Sequence, residues 1–368
     1  MPKTVTIDAR WLVGGIGTYT RSLLQEFHGH ANGVQIQAIV RKEDFCSVRR
    51  WCAGVTVIDT PIYTLLEQIQ VARASRSCDL LHVPHFNAPL FHRGPLLVSI
   101  MDVIHLTSPA YRRKLSTLIY ARPMLNAVAR KADHVVTVSD YSKNQIVDWL
   151  GISESKITVI PCGVGQEFTP ASTETDSLRP GEIPGVESPF LLYVGNLKPH
   201  KNVSTLLRAF AQVRKKNKLR HSLLIVGDDP RWKSFVVEEC FRLGIRDCTN
   251  LVPYVPQSLL PRVYAAADLL VMPSTLEGFG LPVLEAMACG TPVIASNAAS
   301  LPQVGGDAAL YFDPASTEEL ATQIERILES RGLRDGLRHK GIQRAKQFSW
   351  QASARRHLEL YCQLLGVN

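Results

Sequence analysis

Residues 268–296 read DLLVMPSTLEGFGLPVLEAMACGTPVIAS, and this stretch decides the fold. Residues 269–272 are all apolar, as expected for a strand that a parallel sheet buries on both faces. Pro282 fits the first turn of a following helix, because a proline there loses no hydrogen bond, and Gly290 suits the end of that helix. The stretch therefore predicts one strand–loop–helix unit of a parallel α/β sheet.

The loop of this unit carries two glycines and has a carboxylate on either side. Gly278 and Gly280 let the backbone approach a ligand closely, and the start of the helix offers N–H groups that suit phosphate oxygens. Glu277 precedes the helix, and Glu285 lies about one turn inside it. One carboxylate can accept hydrogen bonds from ribose hydroxyls while the other faces a sugar. The alternative is two surface glutamates that the helix dipole favours.

Short β-type runs separated by helical stretches recur along the whole chain. This alternation predicts a parallel α/β fold covered by helices on both faces. The opening theme returns in the second half, so we predict two Rossmann-like parallel-sheet domains that face each other across a cleft. The predicted strands are residues 4–8, 34–40, 55–58, 80–83, 96–100, 135–138 and 157–160 in the first half, and 190–194, 223–226, 250–252, 269–272 and 293–295 in the second.

The periodic pattern stops once, in a polar and proline-rich segment. We predict a first domain over 1–170, a linker or loop over 171–188, and a second domain over 189–349. The length of 368 residues also exceeds what one ordinary core holds. An amphipathic helix is predicted at about 350–368, and the sequence leaves open whether it packs back on the first domain.

Charge and hydropathy restrict the classes of partner. The formal net charge is +8, but no nucleic-acid motif matches, so no nucleic-acid partner is predicted. Two basic clusters, residues 112–114 (RRK) and 214–220 (RKKNKLR), indicate either solvated helix ends or a surface that rests on anionic lipid headgroups. Neither a membrane-spanning run nor a signal peptide is found. We predict a cytoplasmic protein, with peripheral attachment to the inner face of the cytoplasmic membrane as an extension of that prediction.

Residues 277–285 (EGFGLPVLE), followed by AMACGTPVIAS, resemble the E-x7-E signature of the retaining glycosyltransferases of family 4, which have the GT-B fold. The resemblance implies that Glu285 binds the ribose of the donor nucleotide. It also places one run against the donor sugar and diphosphate, namely Glu277, Gly278, Phe279, Gly280 and Leu281.

Residues 193–202 (YVGNLKPHKN) resemble the family's strand–turn–helix that supplies cations to the diphosphate. Lys201 matches the family's lysine, which suits a phosphate pair as a point charge. The family's usual arginine is absent, because Asn196 follows the glycine. Lys198 is therefore predicted to be the second cation, with His200 as the alternative.

The second half contributes three further donor contacts by resemblance. Gly195 opens the turn just described, and residues 252–270 (VPYVPQSLLPRVYAAADLL) resemble the family's base-binding strand and following helix. Tyr254 and Val255 would offer backbone groups to the base. A plain core strand is the alternative for these two residues.

In the first half, residues 8–23 (DARWLVGGIGTYTRSL) resemble the family's first loop. The resemblance implies that Gly15, Ile16 and Gly17 present N–H groups to the diphosphate across the cleft. A lone glycine-rich turn is weak support, but it gains weight beside the motif of the second half. The turn lacks the GxGxxG order, so dinucleotide binding is not predicted.

Residues 99–106 (SIMDVIHL) resemble the family's T-x-H-D segment after a strand. Asp102 matches the family's aspartate, whereas Met101 stands where the family has a histidine. His105 either reaches the cleft or is a structural loop histidine.

Two more segments of the first half, VTVSDYSKNQI and HVPHFNAPL, resemble ligand-facing segments of the family. Ser139 in the first segment is predicted to cap the following helix, to contact a ligand, or to do both. His85 and Asn87 in the second segment are predicted to touch the acceptor or the donor.

Together these residues predict a retaining glycosyltransferase that moves a hexose from a sugar nucleotide. Lys201, Glu277 and Asp102 are the predicted catalytic residues, and Lys201 with the loop amides would stabilise the leaving diphosphate in a front-face displacement. The form of residues 193–202 resembles bacterial mannosyltransferases of polysaccharide assembly, so GDP-mannose is the favoured donor and a UDP-sugar is the alternative. The predicted acceptor is a saccharide or a polyprenyl-linked saccharide.

No metal and no cofactor are predicted, and none of the eight cysteines forms a CxxC pair. Two other classes of protein share the predicted fold. A non-catalytic sugar-nucleotide-binding or scaffold protein would keep the pockets without turnover. A phosphorylase would need a lysine site for pyridoxal phosphate, for which the sequence shows no motif.

Overall fold

The computed structural model describes residues 2–29, 33–171, 178, 181–183, 189–217 and 219–367. The chain divides into two compact units. The first unit comprises Met1–Gly163 together with Ser349–Asn368, and the second unit comprises Val164–Phe348. Within the described ranges, no helix is both long enough and apolar enough to cross a membrane.

The first unit is built on a parallel sheet, which in the described residues has seven strands in the order β3-β2-β1-β4-β5-β6-β7. The order reverses between β1 and β4, and ligands of doubly wound sheets bind beyond the carboxyl ends of the strands at such a point. The strands are β1 (Lys3–Asp8), β2 (Val34–Val40), β3 (Gly54–Val57), β4 (Leu80–Val83), β5 (Leu96–Ser99), β6 (His134–Thr137) and β7 (Ile157–Val159).

The second unit is built on a second parallel sheet, whose described part has six strands in the order β10-β9-β8-β11-β12-β13. Its order reverses between β8 and β11, so the loops that follow these two strands diverge at the switch point. The strands are β8 (Phe190–Val194), β9 (Ser222–Val226), β10 (Thr249–Val252), β11 (Leu269–Met272), β12 (Val293–Ser296) and β13 (Leu310–Phe312).

Helices cover both faces of each sheet, and central strands are therefore buried at every position. β4, β5, β11 and β12 are buried throughout, as strands of a parallel sheet covered by helices must be. The α-helices are α1 (Gly14–Phe27), α2 (Phe45–Val48), α3 (Leu65–Ala74), α4 (Ile104–Thr107), α5 (Arg122–Lys131), α6 (Asp140–Leu150), α7 (Val203–Asn217), α8 (Lys233–Arg242), α9 (Leu260–Ala266), α10 (Leu281–Ala288), α11 (Leu301–Gly305), α12 (Thr317–Glu329), α13 (Arg331–Ala345) and α14 (Trp350–Leu365).

The predicted α/β class with two parallel sheets is confirmed, and each predicted strand is present with ends that differ by at most one residue. β13 was not predicted, because three residues are too short to show a pattern. The prediction of a glycine-rich turn ahead of the first helix was wrong in detail. Gly14, Gly15 and Gly17 lie inside α1, and Gly17 packs so closely on the backbone of Leu12 that a side chain would not fit.

The units divide earlier in the chain than the predicted boundary after residue 170. The ring of Phe168 packs edge-on against Tyr264 at 5.9 Å, and the N–H of Val164 donates to the carbonyl oxygen of Phe348 at 3.1 Å. Residues 164–170 therefore belong to the second unit. Most of the linker predicted at 171–188 lies outside the described residues.

The last helix, α14, belongs to the first unit and is fixed there by buried polar contacts. The hydroxyl of Tyr19 on α1 lies 2.7 Å from Nε2 of His357 on α14 and 3.0 Å from Oγ of Ser99 on β5. His82 on β4 continues the chain of contacts, with Nε2 2.7 Å from Oγ of Ser99 and Nδ1 2.7 Å from the hydroxyl of Tyr361 on α14. Residues at the end of the chain thus complete the core of the first unit.

The direction of these hydrogen bonds follows from counting protons. Nδ1 of His357 donates to the carbonyl oxygen of Ser353 at 2.8 Å, so Nε2 of this ring accepts from Tyr19. Every remaining bond is satisfied when both histidines are neutral. Burial lowers the pKa of His357 to about 4, and burial with the neighbouring His357 ring lowers the pKa of His82 well below its usual range.

We expect acid to loosen the first unit through the buried ring of His357. Unfolded His357 takes up a proton near pH 6.5 whereas the folded residue resists until about pH 4, so the unfolded chain binds more protons between these values. Lowering the pH from 7 to 5 should therefore cost about 2 kcal/mol through this residue. Hydrogen exchange of α14 peptides at both pH values measures the loss.

The matched variants are His357→Gln and His28→Gln, the latter removing an exposed histidine of the same unit. His357→Gln should lower protection at pH 7 and lose less on acidification, whereas His28→Gln should behave as wild type. An unchanged pH response in His357→Gln would contradict the assignment.

Candidate active site

Two loops leave the carboxyl edge of the second sheet after the neighbouring strands β8 and β9, and both need glycine where they start. Gly195 follows β8 with φ 153° and Gly227 follows β9 with φ 150°, in a region that side chains rarely adopt. A Cβ atom at Gly227 would lie 1.8 Å from the carbonyl oxygen of Gly195, so the two strand ends touch through their backbones. Backbone conformation therefore explains why glycine stands at position 195, and its contact with the donor stays a prediction.

The loop after β8 is joined to the loop after β11 by hydrogen bonds. The N–H and the hydroxyl of Thr275 both donate to the carbonyl oxygen of His200, at 2.8 and 3.1 Å. Nδ2 of Asn202 donates to the carbonyl oxygen of Pro273 at 3.1 Å, from a left-handed backbone with φ 54°. The two loops therefore form one rigid structure at the carboxyl edge of the sheet.

This structure brings together two of the predicted catalytic residues. Nζ of Lys201 donates to Oε1 of Glu277 at 2.6 Å, and the two side chains are only 13% and 9% exposed. The hydroxyl of Ser274 donates to the same carboxylate oxygen at 2.7 Å. Lysine has three N–H donors, so this pairing orients the ammonium and leaves it able to bind an anion as well.

The loop that carries Glu277 runs directly into α10. Gly280 is the N-cap residue with φ 109°, and Pro282 lies in the first turn as predicted. This φ disfavours any side chain at Gly280, and a Cβ atom there would also lie 2.7 Å from Cδ2 of Leu301, which would have to shift. The hydroxyl of Ser300 lies 3.1 Å from the carbonyl oxygen of Glu277 and 2.8 Å from that of Phe279, which holds the loop in shape. The first N–H groups of α10 and its dipole favour an anion here.

Glu285 lies one turn into α10 and is buried. The hydroxyl of Tyr264 on α9 donates to its Oε2 at 2.7 Å. Burial raises the pKa of Glu285 to about 7, against the lowering effect of the Tyr264 hydrogen bond and with a small contribution from the negative charge of Glu167. A carboxyl group in this state costs stability at neutral pH, which is typical of groups kept for a ligand.

Of three other predicted residues of the second unit, Lys198 lies in the loop after β8, and Tyr254 and Val255 lie outside this pair of loops. Lys198 precedes the 3₁₀ turn Pro199–Lys201, and in the described part of the chain its ammonium forms no ion pair. Tyr254 and Val255 follow the end of β10 rather than forming a strand, so the core-strand alternative is wrong. Tyr254 is 73% exposed, whereas Val255 is buried.

The predicted residues of the first unit are spread over four separate segments. Gly15 and Ile16 lie in the first turn of α1. Oδ1 of Asp102 accepts from the N–H of Ile104 at 3.0 Å. His105 is exposed on the short helix α4, with its ring 5.9 Å from that of Phe86.

Ser139 is the N-cap of α6, where its hydroxyl oxygen accepts from the N–H of Ser142 at 3.1 Å. The capping role predicted for Ser139 is therefore confirmed.

His85 and Asn87 belong to a polar pocket that the sequence did not indicate as a whole. The N–H of Asn87 donates to Nδ1 of His85 at 3.1 Å, and Nδ2 of Asn87 donates to Oε2 of Glu67 at 2.8 Å. Burial lowers the pKa of His85 to about 4, so its ring is neutral at pH 7 with the proton on Nε2. Asp8, Arg10, Trp11 and Glu67 also line this pocket.

The supporting residues were missed because their role depends on contacts between distant segments. Ser274, Thr275 and Ser300 hold the loops, and Tyr264 holds Glu285. The only local signal is the pair of hydroxyl residues directly after Pro273 at the end of a buried strand. Among the described residues, no group of three or more His, Cys, Asp or Glu side chains is placed to hold a metal ion.

Each of the two units matches a family model of known glycosyltransferases. Residues 13–168 match the model of glycosyltransferase family 4, and residues 175–348 match that of glycosyl transferases group 1. The chain is 30% identical to O-antigen chain mannosyltransferase B of Escherichia coli over 97% of this chain and 98% of that protein. It is 31% identical to MMP alpha-(1->4)-mannosyltransferase of Mycolicibacterium hassiacum over 65% of this chain and 56% of that protein.

A solved structure agrees in fold. Anabaena HepE, crystallised in complex with UDP-glucose, superposes with a TM-score of 0.81 at 19% sequence identity. The match covers 98% of this chain and 99% of that one. The GT-B fold is therefore shared along nearly the full chain.

Glu285→Gln is expected to stabilise the second unit at pH 8. Folded Glu285 holds its proton until about pH 7 whereas the unfolded residue releases it near 4.5, so stability falls as the pH rises between these values. The amide should recover about 2 to 3 kcal/mol at pH 8 and little at pH 5. Chemical denaturation at both pH values, read by hydrogen exchange in peptides of the second unit, measures the difference.

Glu239→Gln is the matched control on α8. Hydrogen bonds from Arg242 and then Arg208 lower the pKa of Glu239 despite its burial, so this variant should destabilise the unit at pH 8. A loss of stability in Glu285→Gln at pH 8 would contradict the prediction, because it would show that the carboxylate stabilises the second unit.

Proposed function

The chain belongs to the family 4 glycosyltransferases with the GT-B fold, and on that premise we propose that it transfers mannose from GDP-mannose with retention of configuration. The proposed acceptor is a saccharide or a lipid-linked saccharide of cell-surface polysaccharide synthesis. The observation that carries the proposal is the Lys201–Glu277 pair at the start of α10, with Glu285 one turn further on. Because the family consists of glycosyltransferases, the alternative of a non-catalytic scaffold protein is set aside.

The second unit holds the donor in this proposal. The diphosphate accepts hydrogen bonds from Nζ of Lys201 and from the first N–H groups of α10, where the helix dipole adds to the attraction. The ribose hydroxyls donate to the carboxylate of Glu285, whose second oxygen is oriented by Tyr264. Hydroxyl donors stabilise the charged form of this carboxylate, so nucleotide binding lowers its raised pKa.

Catalysis then rests on stabilising the leaving diphosphate. Negative charge grows on the phosphate oxygen as the glycosidic bond breaks, and in this proposal Lys201 and the loop amides stabilise that charge. The acceptor hydroxyl attacks from the same face, and the leaving phosphate takes its proton. Glu277 orients the lysine and faces the donor sugar. This route needs neither a covalent nucleophile nor a metal ion.

Mannose is favoured because two relatives, from Escherichia coli and Mycolicibacterium hassiacum, carry mannosyltransferase names. UDP-glucose is the second candidate donor, since it is the ligand named for the HepE structure. Tyr254 and Val255 stay the proposed contacts of the base, and Asp102 stays a proposed catalytic residue of the first unit. We also propose that Lys198, Gly15 and Ile16 assist in binding the diphosphate. The N–H predicted to do so at Gly17 donates instead to the carbonyl oxygen of Val13 at 3.2 Å.

A basic and apolar segment of the first unit supports attachment to anionic membranes. Residues 112–114 carry three exposed cations. They are followed by Leu115, Leu118 and Ile119, which are 70%, 46% and 68% exposed. Two cations of the second basic cluster are engaged in the fold, because Arg214 donates to the carbonyl oxygens of Leu219 and His221 and Lys216 pairs with Glu325. We therefore place the lipid contact on residues 112–119 of a cytoplasmic enzyme.

Lys201→Ala should lower the transfer rate from GDP-mannose by about 10² to 10³-fold, because it removes a donor to the growing charge. Lys201→Arg should recover part of the rate, and Lys216→Ala on the outer face of α7 should leave it unchanged. Initial rates and GDP titration calorimetry measure the effects. A full transfer rate in folded Lys201→Ala would refute the proposed site.

Arg112→Ser/Arg113→Ser/Lys114→Ser should reduce flotation with anionic liposomes at low salt, because the attraction depends on several nearby cations. Leu115→Ser/Ile119→Ser should weaken flotation at high salt as well, since it removes apolar contacts. Lys215→Ser/Lys216→Ser is the control pair. Absence of flotation by the wild-type chain at low salt would rule out the membrane contact.

A further inference from the structure

The first unit contains a buried ionic cluster at its own switch point, directly after β1. Nε and Nη2 of Arg10 donate to the two oxygens of Asp8 at 2.8 and 2.7 Å, and Nη2 also donates to Oε1 of Glu67 at 2.8 Å. Arg10 and Glu67 are 4% and 2% exposed. Burial disfavours the charge of Arg10, but the carboxylates of Asp8 and Glu67 outweigh it and raise the pKa of the guanidinium above its usual value.

One donor of this cluster is left over. Nη1 of Arg10 is buried and has no hydrogen-bond partner among the described residues. An unbonded buried donor of this kind costs about 1 to 3 kcal/mol, and more when it is charged. The guanidinium lines a cavity of about 20 Å³, which has room for one oxygen atom with its hydrogen. A hydrogen-bond acceptor bound in the cavity would give this buried donor a partner.

An aromatic surface lies beside this cavity. The rings of Trp11 and His85 are stacked at 5.4 Å with an angle of 13° between their planes, and both residues line the cavity. The ring of Tyr63 lies 6.3 Å from that of Trp11 and 6.0 Å from that of His85. Such rings offer flat apolar faces next to the polar groups of the cluster.

Tyr63 is held in a conformation that a bulky residue avoids. Its φ is 65°, and its N–H donates to Oε2 of Glu67 at 2.6 Å, which fixes it there. The ring is nevertheless 41% exposed, so burial of the side chain does not compensate for the strain. Strain of this kind concentrates at binding sites, where it positions a group for a ligand.

The charges decide what class of ligand fits. Two carboxylates and one guanidinium carry a formal charge of −1, which disfavours a phosphate or a carboxylate in the cavity. A hydroxyl group fits both partners, because its oxygen accepts from Nη1 of Arg10 while its proton is donated to Asp8 or Glu67. A ligand with hydroxyls along its edge and an apolar C–H face satisfies the cavity and the aromatic surface together.

We infer that this pocket binds a neutral sugar ring of the acceptor, with one hydroxyl inserted beside Arg10 and the ring packed on Trp11 and Tyr63. The inference rests on the proposed function and adds that an acceptor ending in a phosphorylated or acidic sugar is rejected. A site built to pair a hydroxyl discriminates strongly against a ligand that cannot supply it.

The test measures sugar binding to the full chain without donor, so it needs no turnover. The neutral probes are the methyl α-pyranosides of mannose, glucose and galactose, and the acidic probes are mannose 6-phosphate and glucuronic acid. Saturation-transfer NMR should detect a neutral probe and show at least tenfold weaker binding of both acidic ones. Equal binding of the acidic probes, or no binding of any neutral probe, would overturn the inference.

Trp11→Ala and Tyr63→Gly should each weaken neutral-sugar binding at least tenfold and raise the acceptor KM, with the Kd for GDP unchanged. Glycine adopts the φ of Tyr63 freely, so the second variant should melt close to wild type, which separates binding from folding. Trp149→Ala removes a tryptophan 41% exposed on α6 and should change nothing. Wild-type sugar affinity in both pocket variants would show that only water occupies the cavity.

GDP binding on the same samples separates the two proposals. A chain that binds neutral hexosides but neither GDP nor UDP would overturn the proposed function alone. A chain that binds GDP normally and no neutral hexoside would overturn this inference alone.

Discussion

Thr275 bonds through both its N–H and its hydroxyl to the carbonyl oxygen of His200, and the candidate donor site depends on this contact. It joins two loops that the strand order sends apart at the switch point of the second sheet. With these loops held together, Lys201 and Glu277 pair at 2.6 Å. A parallel sheet supplies the rest, since all its strand ends open onto one edge.

Both units contain groups whose state costs stability in the absence of a ligand. Glu285 is buried with a pKa of about 7, Nη1 of Arg10 is buried without a partner among the described residues, and Tyr63 has a strained backbone. By contrast, the buried histidines His82 and His357 have all their hydrogen bonds satisfied. The first pattern is typical of sites that await a ligand, and the second is typical of structure.

Local patterns sufficed for most of the fold. Runs of apolar residues predicted central strands such as β8 and β11, because a strand buried on both faces has few polar positions. β13 was not predicted because it has only three residues. The boundary near residue 163 was not predicted because it depends on where Phe168 packs. The domain on which α14 packs was left open for the same reason. An amphipathic pattern shows that one face of a helix is buried, but it does not show against which part of the chain.

The sequence by itself determined the α/β class and the position of the loop before α10, because apolar runs, glycine and proline act locally. The resemblance to the glycosyltransferase family then singled out Lys201, Glu277 and Glu285 as candidate site residues. Only the tertiary structure decided that Lys201 contacts Glu277 and that Tyr264 holds Glu285. It alone also joined Arg10 to Glu67, which are 57 residues apart in the chain. A buried charge needs a partner, but the chain order does not say which one, because that depends on the order of strands in the sheet.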